Sequence, residues 1–406
     1  MATSSVTQKV LSNGLTVLIE HIPQAQSVGI GFFVKTGSRD EQVSESGVSH
    51  FLEHMLFKST QRRSALDITF EMGNIGAQSN AFTSEENTVY YATVLPEYLS
   101  AAQDVLTDQM MPILNDAEFE TEKKVILEEI ALYQDKPQFY LFENAHLDFF
   151  AGHSAGNSVL GTVASISALS RAQMKQYFDR RYAPNNIVFV CAGKVDSDRV
   201  VQQLEAQSAG WLPRETPRSY TPFAARSTQK EFRKANLQQG HVLILSDGPS
   251  AQDEDRYAMG LVAMMIGDAT GSRIYYELVQ TGIAEGAGSD CDERDRAGSF
   301  YAYAVTTPEN ISQVSSILNK ILDTPREFSQ ADLSRAQTKS ISRLVANGEL
   351  PMGRLMSLGS EWQYHGVIHN LKENIERIRS VSLNDIERAI GRFPLKVRSE
   401  YHLLPA

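Results

Sequence analysis

Apolar residues near the start of the chain fall in short runs separated by turn signals. VLSNGLTVLIEHIP sets two such runs around Asn13-Gly14, a pair that favours a tight hairpin turn, and SVGIGFFVKTG continues as a third strand. From Gly47 to about Phe57 the apolar spacing lengthens to that of a helix. Strand-like text returns in IGAQSNAFTSEENTVYYATVLP. Long helical stretches follow, from Leu99 to Tyr133 with a break near Met111-Pro112, and from Ser170 to Tyr182. NIVFVCAGKVD then reads as a strand closing the first half.

LPRETPRSYTPFAARST has three prolines and almost no periodicity, so a boundary falls near 213–228. The second half repeats the order of the first. Strand-like HVLILSDG leads to helical DRYAMGLVAMMIGD and IYYELVQ, then to strand-like GSFYAYAVT and helices ending near Arg392. Two halves with one order predict a duplicated α+β unit, with domains at 1–212 and 229–406.

A chain of 406 residues exceeds one ordinary core and fits two domains of roughly 200 residues each. The net charge of −11 and the lack of a basic stripe argue against a nucleic-acid partner. Two cysteines, Cys191 and Cys291, form neither a disulfide framework nor a CxxC zinc pattern, and read as buried thiols in a reducing compartment. The N-terminus lacks a basic region followed by an apolar core, and no stretch has the length of a membrane span. The expected location is the cytoplasm, with no membrane partner. A mature chain whose presequence had been removed would read the same way.

Within the helix at 47–57 lies HFLEH, with His50, Glu53 and His54 among Phe51, Leu52, Met55, Leu56 and Phe57. At about 100° per residue, the three polar groups fall within one arc of about 100°. Two imidazoles four residues apart can hold one zinc ion from the same face. Glu53 lies beside them and can take a proton from water and hand it to a leaving amine. The order HxxEH inverts the more familiar HExxH. A catalytic zinc needs a third protein ligand. The acidic helical stretch EFETEKKVILEEIALYQ offers Glu122, Glu128 and Glu129, and periodicity alone does not choose among them.

At this point the chain resembles the inverted zinc peptidases: pitrilysin, insulin-degrading enzyme, the mitochondrial processing peptidase and their short bacterial relatives. Besides HFLEH, the resemblance rests on GNIGAQSNAFTSEENTVYYATVL, GHSAGNSVLGTVASI, YAPNNIVFVCAGKVD, GPSAQDEDRYAMGLVAMMIGD and GSRIYYEL, in order over nearly the whole chain. It implies two homologous domains, each a mainly antiparallel sheet covered by helices, forming half of a clam-like chamber. It makes Glu129 the third zinc ligand and Glu122 a carboxylate supporting a ligand histidine. It also makes the backbone around Asn80, Ala81 and Phe82 an edge strand that pairs with an extended peptide substrate.

The chain departs from the family in its C-terminal half. Active members carry an arginine and a tyrosine seven residues apart that hold the substrate carbonyl and its oxyanion. The matching stretch here, YELVQTGIAEGAG, has Val279 and Glu285 at those places and is one residue shorter. Neither side chain donates a hydrogen bond to an oxyanion at neutral pH. Arg294 and Tyr301 have the right spacing but lie in strand-like text. The resemblance therefore implies a metalloendopeptidase subunit in a heterodimer with a homologous chain carrying Arg and Tyr. Two other readings are a structural subunit of a processing-peptidase-like complex and a self-sufficient homodimer. His365 and His369, also four apart, have no base between them.

Overall fold

The computed structural model describes residues 5–324 and 327–406. The chain forms two compact units that are interleaved along the sequence. One unit takes residues up to Ala131, then Asn157–Ser219 and Ala346–His369; the other takes Leu132–Gly156, Tyr220–Val345 and Asn370–Ala406. The switch at Ser219 falls inside the proline-rich stretch, where residues 212–228 form no regular element. The two exchanged segments are what a contiguous division at 213–228 leaves out.

In the first half, in chain order, lie strands β1 (Ser5–Val10), β2 (Thr16–His21) and β3 (Val28–Val34), then helices α1 (Val48–Met55) and α2 (Ala65–Asn74). Strands β4 (Gln78–Thr83) and β5 (Thr88–Val94) follow, then α3 (Leu99–Gln109), α4 (Asp116–Asp135), α5 (Pro137–Phe149), α6 (Val163–Ala168), α7 (Arg171–Arg181), β6 (Ile187–Gly193) and α8 (Ser197–Ser208). The second half gives β7 (Gln229–Lys234), β8 (Gly240–Asp247), α9 (Arg256–Gly267), a single wide turn of helix at Tyr275–Val279, β9 (Gly286–Arg294) and β10 (Ala297–Thr306). It ends with α10 (Ile311–Asp323), α11 (Gln330–Gly348), α12 (Pro351–His365), α13 (Leu371–Ser380), α14 (Leu383–Arg392) and β11 (Arg398–Pro405).

The sheet of the first unit runs β1-β2-β6-β3-β5-β4, and that of the second runs β7-β11-β8-β10-β9. With β1 set aside, the two orders correspond strand for strand. Each contains a single parallel pair, β2 with β6 and β7 with β11, and is otherwise antiparallel. The duplicated α+β unit expected from the sequence is therefore present. β3 and β6 are buried along their whole length because helices cover both faces of their sheet.

One of those covering helices is α12, from the second half of the chain. Its Leu355 and Leu358 pack with Leu18, Phe33, Val188 and Val190, and Arg354 makes a buried ion pair with Glu20 at 2.7 Å. In return α5, from the first half, packs Leu141, Ala145 and Phe149 against Leu243, Leu245, Tyr401 and Leu403 of the second sheet.

Candidate metal centre and its surroundings

Helix α1 starts abruptly at Gly47, whose φ of +87° lies in the left-handed region and whose missing side chain leaves room for the Leu160 carbonyl. The Glu41 carboxylate accepts from the backbone N–H of Gly47 and of Ser49 at 2.7 and 2.8 Å, which satisfies two of the open donors at the helix start. Burial pushes the Glu41 carboxyl up to about 7, against those hydrogen bonds. Val48, Phe51, Leu52 and Met55 are buried, with Phe51 stacked on Phe119 of α4. The apolar half of α1 thus fixes the helix; Ser49 bonds to Tyr177 of α7, and His50, Glu53 and His54 face α4 and β4.

Among the described residues, His50, His54 and Glu129 form the one cluster able to hold a metal ion, their ligating atoms lying within 4.8 Å of one another. Nε2 of His54 is 3.4 Å and Nε2 of His50 is 3.8 Å from Oε2 of Glu129. Ligand atoms on a tetrahedral zinc ion lie about 3.3 Å apart, close to the two spacings from the histidines to Glu129. Burial, with the neighbouring His54, pulls the His50 imidazole down to about 4, so it is neutral near pH 7 and keeps a lone pair for a metal. Its Nδ1 is buried without a hydrogen-bond partner. At His54, burial lowers the affinity for a proton, but the Glu122, Glu129 and Glu53 carboxylates together outweigh it and raise it. A site that gathers this much negative charge around two imidazoles suits a divalent cation. The donor set, two nitrogens and one carboxylate oxygen, fits zinc.

Of the three acidic residues that periodicity left open, Glu129 faces the histidines, Glu122 is buried and Glu128 is exposed. Oε1 of Glu122 lies 2.9 Å from Nδ1 of His54, which leaves Nε2 of that ring turned to the cluster. Oε2 of Glu122 holds Lys58 Nζ at 2.6 Å. Burial raises the Glu122 carboxyl, and its bonds to His54 and Lys58 more than reverse this, so it stays below the usual range.

Glu53 sits beside the cluster, 8% exposed, and donates nothing to it in the ionised form. Its Oε2 accepts a hydrogen bond from the Thr83 hydroxyl at 2.6 Å. Burial pushes its carboxyl up, opposed by Thr83 and His54 and assisted by the Glu129 charge. A carboxylate with a raised proton affinity next to a cation site is suited to proton transfer.

Asn80, Ala81 and Phe82 lie on β4, the last strand of the first sheet, paired among the described residues with β5 alone. Asn80 and Phe82 are exposed and Ala81 is half-buried. The Ala81 N–H points away from β5 and is capped at 2.9 Å by the Asn80 side-chain oxygen.

In the second unit, Val279 ends the wide helical turn, and the Glu285 carboxylate accepts from the Gln239 amide at the start of β9. Arg294 is 5% exposed, pairs with Asp292 and lies over the Phe150 ring. Arg296 lies over Tyr220. Arg273 donates to the carbonyls of Thr324 and Glu327. Among the described residues His369 belongs to no cluster of metal ligands; its backbone N–H donates to Glu361. Sequence reasoning missed Thr83 and Lys58. Lys58, four residues after His54, had a helical spacing that pointed towards it; Thr83 comes from another element, and no spacing within α1 reveals it.

The family model for insulinase, peptidase family M16, matches residues 16–163, and that for the peptidase M16 inactive domain matches residues 168–340. An uncharacterized zinc protease of Mycobacterium leprae is 30% identical over 428 residues, covering 99% of this chain and 94% of that one. One from Streptomyces coelicolor is 31% identical over 403 residues, covering 96% and 87%. A protease from Helicobacter pylori has a crystal structure that superposes with a TM-score of 0.91 at 20% identity, over 99% of this chain and all of that one, a likeness of fold. With both domain models in place and inverted-order histidines on α1, the chain belongs to peptidase family M16, a family of zinc proteases.

Proposed function

We propose that the chain is the zinc-carrying subunit of an endopeptidase that cleaves extended peptides. The observation that supports this most is the meeting of His50, His54 and Glu129 beside a buried Glu53. In this reading His50, His54 and Glu129 hold zinc, which supplies Lewis acidity to a peptide carbonyl and makes water a stronger acid. Glu53 takes a proton from the attacking water and returns it to the departing nitrogen. Glu122 holds the His54 ring in the tautomer that presents Nε2. The peptide lies along β4 as an added strand, bonding to the backbone near Ala81 once the Asn80 side chain gives way. Such binding reads extension more than side chains.

We further propose that a homologous partner chain brings the arginine and tyrosine that Val279 and Glu285 replace. Removing one donor to an oxyanion costs on the order of 100-fold in rate or more. The arginine of this chain that has the right spacing, Arg294, is already engaged in its own unit. No described helix is long and apolar enough to cross a membrane, and both cysteines are free, in keeping with work in the cytoplasm. The test is zinc content together with peptide hydrolysis by the purified chain, alone and mixed with a homologue carrying the Arg–Tyr pair. Stoichiometric zinc with activity only in the mixture is expected. Full activity alone would sink the partner, and absence of zinc would favour a structural subunit, the reading that the replacements at 279 and 285 otherwise support.

A further inference from the structure

The roles above leave Glu53 with an unanswered need. A glutamate side chain has three rotatable bonds, and a proton carrier has to stay within hydrogen-bond reach of the reacting atoms. Only one end of Glu53 is fixed by α1. Its carboxylate is met from a different element, by the hydroxyl of Thr83 at 2.6 Å. Thr83 is the final residue of β4, three positions beyond Asn80 on the strand where the peptide is proposed to dock.

The turn that follows Thr83 is anchored from below. The Ser84 N–H bonds to the Asn87 carbonyl at 2.8 Å, closing the turn. Gly37 lies so close beneath it that a Cβ there would come within 2.2 Å of the Ser84 carbonyl oxygen. Arg39 makes an ion pair with Glu86 in which both side chains are almost wholly buried. Arg218, from the irregular stretch after α8, donates to the Glu86 carbonyl at 2.7 Å and to Asp40 at 2.7 Å, and Arg181 joins Asp40 at 3.0 Å. Thr88 donates to the Thr36 carbonyl at 2.9 Å. A surface hairpin turn does not need two carboxylates and three arginines in its foundation to stay folded. Buried charges of this kind hold a geometry, since each leaves the others unpaired if it moves.

We propose that Thr83 is a positioning residue for Glu53, and that the buried ion network beneath the β4–β5 turn holds Thr83 at the height this requires. Thr83 ties Oε2 of Glu53 and leaves Oε1 to exchange the proton. Because the docking residues Asn80, Ala81 and Phe82 run directly into the tether of the base at Thr83 on one strand, substrate and base are registered to each other through one element. This rests on the peptidase reading for its catalytic meaning, but the tether itself does not.

The experiment compares Thr83→Val, which keeps the shape and removes the hydroxyl, with Thr83→Ser, which keeps the hydroxyl. Thr83→Ala, compared with Thr83→Ser, isolates the same single oxygen should the valine variant fold poorly. Two readouts are taken on zinc-loaded protein in the activity-competent mixture and on the chain alone. The first is the order of the Glu53 carboxylate in crystals, with zinc content measured beside it. The expected result is one fixed position in the wild type and in Thr83→Ser, several in Thr83→Val, and unchanged zinc in all three. The second is peptide hydrolysis, where Thr83→Val is expected to lose about 10- to 100-fold in kcat with KM within about twofold, a part of the 100- to 10,000-fold that a general base supplies, and Thr83→Ser to recover most of it. A Glu53 carboxylate equally ordered without the hydroxyl overturns the proposal. So does a loss carried by KM, or a serine variant as poor as valine. If the wild type cleaves no peptide in any mixture, the peptidase reading falls, and the position of the carboxylate still decides the tether.

Discussion

The two units repeat one topology, and one corner of it differs in chemistry. In the first, the helix after the third sheet strand is α1, eight residues long, with His50, Glu53 and His54 turned towards α4 and β4. In the second, the helix at the same point in the order is α9, twelve residues long, with Met259, Val262, Ala263 and Ile266 completely buried. At its end Gly267 comes so close to β9 that a Cβ would lie 2.2 Å from the Ser289 N–H nitrogen. α9 fills its corner with hydrocarbon, whereas α1 stops short and leaves a partly open pocket of ligands. The comparison separates what the fold needs from what the chemistry needs. A sheet and a covering helix suffice for the unit; the candidate metal ligands are an addition that one copy carries on a shorter, more polar helix. The name of the second family model, an inactive domain, agrees with that division.

Substitutions can break this contrast from either side. The largest effect is expected at Glu53: Glu53→Gln should lower kcat about 100- to 10,000-fold while zinc, measured by metal analysis, stays bound. Loss of zinc along with activity would make Glu53 a ligand instead of a base. In the second unit, Met259→Ala should cost about 2–5 kcal/mol of stability by leaving a cavity, read by denaturant unfolding, with zinc content unaltered. A change in zinc there would mean that the copies are not chemically separate. Glu122→Gln should weaken zinc binding about 10- to 100-fold, measured by competition with a chelator, because His54 loses the acceptor that orients it. Glu128→Gln, one residue from Glu129 and exposed, should leave the same measurement unchanged.

The smallest effect concerns acid. In the second unit, burial alone would raise the Glu400 carboxyl, but hydrogen bonds from His402, Ser315 and Asn319 hold it down at about 2 from an ordinary 4.5. A depressed folded value means that the contribution is complete above about pH 4.5 and disappears as the pH falls to about 2. Acid unfolding of the wild type should therefore be steeper in that window than that of Glu400→Gln. Equal slopes would show that the cluster on β11 does not couple to folding.

Much of the first corner was legible because it is local. His50, Glu53 and His54 lie within one turn and a half of helix, so spacing alone placed them on one side. The choice among Glu122, Glu128 and Glu129 was not local, since it depends on how α4 is rotated against α1; resemblance supplied what periodicity lacked, and the burial of Glu122 and the exposure of Glu128 give the physical reason. Strand β9, rich in glycine and acidic residues, has a weak strand pattern and was not separated from β10. Thr83 was invisible as a partner because a hydrogen bond between a strand end and a helix leaves no period in either. The exchange of α5 and α12 was illegible for a related cause. An amphipathic helix announces that it covers a sheet, and nothing in its apolar stripe says which one.

That exchange bears on how the protein can be divided. If the chain is cut between Ser219 and Tyr220, neither product is a domain in the ordinary sense. The N-terminal piece lacks α12 and exposes Leu18, Phe33, Val188 and Val190 on its sheet; the C-terminal piece lacks α5 and exposes Leu243, Leu245, Tyr401 and Leu403. Each fragment carries the cover that the other has lost. Produced separately, the pieces are aggregation hazards; produced together, each is the chaperone of the other, and their recovery should rise with concentration as that of an obligate dimer does.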